Sequence, residues 1–155
     1  MKILIQIPCY NEETQIENTI KEIKKSINPD KYNYQIIIID DGSSDKTIEI
    51  AKRNNVEKII ALKRNMGLGY AFNEGRKFAH EQDADILINT DADNQYKPEY
   101  IVNLIDYLKN SSSDIVVGVR KFDEISHFSK TKIFLQKLGT KVVRVVSGQK
   151  ISDAS

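Results

Sequence analysis

Six consecutive residues, Tyr34-Gln35-Ile36-Ile37-Ile38-Ile39, constrain this chain most. A strand with one wet face alternates apolar and polar side chains. An almost unbroken β-branched run instead predicts a strand covered on both faces, the situation of a parallel sheet between layers of helix. The run ends in a polar loop, Asp40-Asp41-Gly42-Ser43-Ser44-Asp45, in which Ser44 or Asp45 could cap a following helix over residues 47–54.

The rest of the chain repeats this alternation. Residues 2–8 form a short Ile-rich run stopped by Pro8, and residues 14–27 carry apolar side chains at 16, 20, 23 and 27, a helical spacing. Residues 56–61, 86–90 and 115–119 read as further strands. Residues 67–80, 98–109 and 128–146 read as helices, with Pro98 in a first turn. The expected fold class is therefore α/β, a Rossmann-like, mostly parallel sheet with helices on both faces. Such sheets bind ligands beyond the carboxyl ends of their strands. The polar clusters 9–13, 40–45 and 91–95 each follow a strand, so they should meet in one crevice.

Asp91-Ala92-Asp93 is the strongest of these clusters. Two carboxylates two residues apart can project to one side and repel unless a cation lies between them. A hard divalent ion answers this and can bridge to phosphate oxygens, with Gln95 as a neutral oxygen ligand. By spacing alone, a solvated acidic loop capping the next helix is an equal reading. Asp40 could accept a hydrogen bond from a nucleobase N–H, against the alternative of an Asx-turn with an N-cap. Tyr10 offers an aromatic face, beside the amide of Asn11 and the carboxylate of Glu12. Cys9 is not expected to be a nucleophile, because no histidine lies near it in sequence. The segment from Lys63 to Gly69 is only weakly like a glycine-rich phosphate loop.

These segments occur together and in order. Ile7-Pro8-Cys9-Tyr10-Asn11-Glu12-Glu13, Ile39-Asp40-Asp41-Gly42-Ser43-Ser44-Asp45-Lys46-Thr47, Asn65-Met66-Gly67-Leu68-Gly69 and Asp91-Ala92-Asp93 resemble the signature series of family 2 glycosyltransferases of the GT-A fold. Asp91-Ala92-Asp93-Asn94-Gln95-Tyr96-Lys97-Pro98-Glu99 is similar to the D-A-D-x-Q-x-x-P-E of the dolichol- or polyprenyl-phosphate sugar synthases. Ile151-Ser152-Asp153-Ala154-Ser155 resembles the start of their D-x-x-S-G-F-R segment.

The resemblance implies one catalytic, nucleotide-sugar-binding domain over residues 1–155, truncated at its C-terminus. It implies inverting transfer of a sugar from a UDP- or GDP-sugar to an acceptor such as a polyprenyl phosphate. Pro8, Tyr10, Asn11, Glu12, Asp40, Asp41, Asn65, Gly67, Asp91, Ala92 and Arg120 would bind the nucleotide sugar. Asp91, Asp93 and Gln95 would hold Mg²⁺ or Mn²⁺, and Asp93 and Asp153 would be catalytic. The alternatives are a donor-binding fragment without efficient turnover and a sugar-phosphate nucleotidyltransferase. The latter would want a Gly-rich basic loop after the first strand, where this chain has Cys9–Glu13.

Charge adds one partner. Residues 1–119 hold 15 Lys/Arg and 19 Asp/Glu, whereas residues 120–150 hold 8 and 2. A basic, amphipathic segment over residues 128–146 could either cover the sheet or lie on an anionic membrane. Nucleic acid is not expected, since no aromatics interleave with the basic residues. No apolar stretch approaches the roughly 20 residues of a membrane span. Cys9 is the one cysteine, which suits a reducing cytosol. The expectation is a cytoplasmic chain, working at the cytoplasmic face of a membrane if residues 128–146 meet lipid.

Overall fold

The computed structural model describes residues 1–93, 97–118, 139–146 and 148. These fall in two compact units, Met1–Ser112 and Ser113–Ser155.

The first unit alternates strand and helix: β1 (Lys2–Cys9), α1 (Ile16–Ser26), β2 (Asn33–Asp40), α2 (Thr47–Arg53), β3 (Lys58–Ala61), α3 (Leu68–Glu81), β4 (Ile86–Asn89) and α4 (Tyr100–Asn110). Its four strands run in the order β3-β2-β1-β4. Every pairing is parallel, with Cys9 opposite Asp40, Ile5 opposite Ile88 and Asp40 opposite Ala61. A parallel pair needs a crossover, and each crossover here contains a helix.

The two faces of the sheet follow from the period of two along each strand. Ile3, Ile5 and Ile7 of β1 share a core with Ile36 and Ile38 of β2, Ile16, Ile20 and Ile23 of α1, Ala51 of α2, and Ile101 and Ile105 of α4. The alternate positions Ile37 and Ile39 pack on Ala71 and Phe78 of α3. Ile36 to Ile39 are thus all fully buried, as an unbroken apolar run requires. Burying each such side chain contributes about 1.5–3 kcal/mol. On the second face α3 comes close to the sheet, because a Cβ at Gly75 would overlap Oε1 of the buried Gln6. Helices therefore cover both faces, as expected.

The boundaries move where local bonding decides them. Residues 14 and 15 stay outside α1, in a turn in which the Gln15 and Ile16 N–H groups both donate to the Glu12 carbonyl. β3 starts two residues late, after Asn55 takes a left-handed backbone (φ 49°). Pro98 lies just ahead of α4, where its carbonyl accepts from Ile101 N.

One expectation fails. Residues 115–118 form no strand, and Ile115 is 80% exposed. A β-branched run becomes a strand only on a partner ladder, and the described residues of the second unit supply none. Val119 lies outside the described residues. Of the basic segment 128–146, residues 139–146 are helical and residues 128–138 lie outside the described residues. In this helical stretch Val142, Val145 and Val146 are exposed alongside Lys141 and Arg144. Among the described residues no helix is long and apolar enough to cross a membrane.

Candidate functional site

The carboxyl ends of β1, β2 and β4 converge, as the three polar clusters predicted. They open a cleft of about 290 Å³ lined by Pro8, Cys9, Tyr10, Glu12, Asp41, Asn65, Gly67, Leu68, Ala71, Asp91, Ala92 and Asp93.

One wall is two loops laced together. Asn11 N donates to Ser43 Oγ at 2.9 Å, Glu12 N to Thr47 Oγ1 at 2.8 Å and Glu13 N to Asp45 Oδ2 at 3.1 Å. In return, Ser44 N donates to Asn11 Oδ1 at 2.9 Å and Lys46 N to Glu13 Oε2 at 3.1 Å. Asn11 has a left-handed backbone (φ 55°), which its short amide side chain tolerates better than most. Its side-chain oxygen accepts from Ser44, and Asn11 is not among the residues that line the cleft. Tyr10, 46% exposed, presents its ring at the mouth.

The two aspartates at the end of β2 divide their work. Asp41 lines the cleft, and its carboxylate accepts Met66 N at 2.7 Å and Gly67 N at 2.8 Å. This pair of bonds to one carboxylate holds the 62–67 loop against the site. Gly42 completes the turn at φ 77°, where a Cβ would lie 2.6 Å from Arg64 Cα, so only glycine fits. Asp40 is only 1% exposed. Its Oδ2 accepts Ser43 N at 3.0 Å, and its Oδ1 is buried without a hydrogen-bond partner. The carboxylate expected to meet a ligand is therefore sealed beneath the site, while its neighbour reaches the cleft.

The opposite wall is the Asp91-Ala92-Asp93 turn. Thr90 N donates to the Gln6 carbonyl at 3.1 Å, which ties the end of β4 to β1. Ala92 is buried, and its carbonyl accepts the Thr19 hydroxyl of α1 at 2.7 Å. Asp91 and Asp93 flank it, half-buried. Their charge is felt across the cleft: burial first, then Asp93, Asp45 and Asp91, pushes the Glu12 carboxyl above its ordinary value. Burial, and then the charges of Asp40, Glu12, Asp45 and Asp41, likewise pushes the Cys9 thiol far up. Cys9 is held protonated at neutral pH and is no nucleophile, as its sequence context indicated.

This arrangement fits a divalent cation shared with a ligand. Among the described residues no group of three or more His, Cys, Asp or Glu side chains gathers around one point. As oxygen donors, the two carboxylates of this turn suit a hard divalent cation such as Mg²⁺ or Mn²⁺. Gln95, Arg120 and Asp153 lie outside the described residues. Asn65, Gly67, Leu68 and Ala71 bring the start of α3 to the cleft. Leu68 and Ala71 escaped the sequence reading, because helical periodicity assigns them a face but not a neighbour.

A parallel sheet with an acidic cleft at its carboxyl edge defines an open α/β protein with its candidate site where such sheets bind ligands. The chain belongs to the family Glycosyl transferase family 2, whose model matches residues 4–154. It is 38% identical over 135 residues to the UDP-N-acetylglucosamine–dolichyl-phosphate N-acetylglucosaminyltransferase of Methanococcus voltae, covering 76% of this chain and 51% of the relative. It is 36% identical over 123 residues to the dolichol-phosphate mannosyltransferase of Pyrococcus furiosus, covering 77% of this chain and 33% of the relative. Its fold is similar to that of glucosyl-3-phosphoglycerate synthase from Mycobacterium tuberculosis, solved with Mn²⁺, UDP-glucose and phosphoglyceric acid. The TM-score there is 0.55 at 26% identity, over 69% of this chain and 39% of that one. The α/β architecture is thus the GT-A type. The chain spans about half the length of the first of these relatives, and a third of the second.

Proposed function

We propose that this chain forms the donor half of an inverting glycosyltransferase that moves a sugar from a nucleoside-diphosphate sugar to a lipid phosphate. The observation that carries this reading is the cleft itself, with an aromatic and acidic wall from the ends of β1 and β2 facing the Asp91/Asp93 turn. The names of the dolichyl-phosphate relatives support the acceptor class, and the Mn²⁺ and UDP-glucose of the structural relative support the donor and metal.

In this reading Tyr10 and Pro8 pack against the base. Asp41 takes the base N–H in place of Asp40, using the lone pairs left after its bonds to Met66 and Gly67. Asp91 and Asp93 hold Mg²⁺ or Mn²⁺, with Gln95 as a further oxygen ligand, and the ion when bound neutralises the charge of the departing diphosphate. A phosphate acceptor is already ionised, so it needs orientation more than a general base. Asp153 is assigned to that side of the reaction, and Arg120 to the phosphates of the nucleotide sugar. A lipid acceptor puts the work at a membrane surface, for which we propose the cytoplasmic face. The exposed Val142, Val145 and Val146 beside Lys141 and Arg144 suit contact with an anionic surface.

The test is a thermal-shift series with UDP, GDP, dTDP and CDP, each with and without Mn²⁺. A rise in Tm for UDP or GDP that needs Mn²⁺ is expected, and Asp93→Ala removes the part that needs the metal. A melting curve unmoved by all four nucleotides would rule out the donor site.

A further inference from the structure

Thr19 is out of place by composition. The buried face of α1 is otherwise Ile16, Ile20 and Ile23, and Thr19 is 1% exposed among them. A hydroxyl in an apolar core is unfavourable unless it is hydrogen-bonded. A helical threonine commonly returns its hydroxyl to the carbonyl four residues back. Here it leaves the helix instead and donates to Ala92 O, 73 positions away in the chain, at 2.7 Å.

The acceptor is the carbonyl between the two aspartates. Ala92 is 4% exposed, so this carbonyl has little access to water. The bond fixes the plane of the peptide joining Ala92 to Asp93. Two residues earlier, Thr90 N is held by the Gln6 carbonyl. The turn is thus gripped from β1 on one side of Asp91 and from α1 at the residue before Asp93, which fixes the backbone that carries both carboxylates.

We propose that Thr19 is the positioning residue of the Asp91/Asp93 pair, holding the two carboxylates in the geometry that shares one divalent cation. This rests on the donor-site reading above. Without the hydroxyl, the Ala92 carbonyl is left buried and unsatisfied, and the turn gains by rotating it toward water. That rotation carries Asp93 with it.

The experiment is calorimetric titration of the 155-residue chain with Mn²⁺ plus UDP and with Mn²⁺ plus GDP, alongside the Tm of the ligand-free protein. Thr19→Val keeps the shape and removes the donor, and Thr19→Ser keeps the donor. Loss of groups that orient metal ligands weakens metal affinity by about 10–100-fold. Thr19→Val is therefore expected to weaken the Mn²⁺-dependent binding by at least about tenfold, with Thr19→Ser within about twofold of wild type. Ile20→Val, which lowers Tm without touching the bond, is expected to leave the binding unchanged. Thr19→Ala gives the same comparison with Thr19→Ser should the valine variant not fold. The inference is overturned if Thr19→Val binds like wild type, if Thr19→Ser is as weak as Thr19→Val, or if Ile20→Val weakens binding equally. If the wild-type chain itself binds neither nucleotide with Mn²⁺, the donor-site reading fails first and this inference falls with it.

Discussion

The two walls of the cleft are held by opposite means. On one, loops 10–13 and 43–47 spend their polar groups on each other: Glu13, Asp45 and Asn11 all accept peptide N–H groups. On the other, the 91–93 turn is secured from below, through Thr19 and Gln6, while its two carboxylates stay at the cleft. The first wall is complete as it stands and suits a ligand's rigid parts. The second concentrates negative charge that a cation would relieve. Damage to the first should therefore appear as lost stability, and damage to the second as lost metal-dependent binding.

The largest contrast is expected from Asp93→Ala. At a nucleotide concentration about a hundredfold above Kd, binding adds about 2.7 kcal/mol, or roughly 5–10 °C in Tm for a chain of this size. The variant should lose the Mn²⁺-dependent share of that rise. Gly42→Ala should do the reverse. Its positive φ and the closeness of Arg64 predict a loss of about 1–3 kcal/mol without ligand, read by urea denaturation. Asp41→Ala strands two N–H groups of the 62–67 loop, at about 1–3 kcal/mol. Hydrogen exchange at Met66 and Gly67 should quicken more than that of the sheet.

A smaller effect separates the walls by pH. Glu12 has its carboxyl raised in the folded state, so its protonated form is the one that favours folding. That contribution is present at low pH and is lost as pH rises through the raised value. Glu12→Gln should then raise the Tm at pH 7 by a small margin, below about 2 °C, and leave it unchanged near pH 4. Equal gains at both pH values would show that Glu12 does not feel the opposite wall. The smallest effect is chemical: native Cys9 should resist iodoacetamide at pH 8 and react once unfolded in urea.

Much of the first unit was legible because its signals are local. The Ile36–Ile39 run stated its own double burial, and the 16-20-23-27 spacing stated the inner face of α1. The convergence of the clusters followed from strand polarity. What stayed hidden depends on pairing. Asp40 and Asp41 are equal in sequence, and only the packing at the end of β2 decides which carboxylate is sealed and which faces the cleft. The lacing of Asn11 to Ser43 and Ser44 joins two loops that only the fold brings together. Thr19 gave no sign at all, since its partner is an unremarkable alanine 73 positions on. Residues 115–118 carry β propensity with no neighbour among the described residues to satisfy it.

The central place of β1 also sets an order of assembly. Its register joins Lys2 to Asn33 across one short crossover, but joins Ile3 to Ile86 only after most of the unit has been made. On a ribosome the loop-to-loop wall can form once residue 47 has emerged. The carboxylate turn reaches Thr19 and Gln6 only when β4 closes a loop of more than eighty residues. Metal and nucleotide can therefore stabilise the finished unit, but they cannot template its early steps.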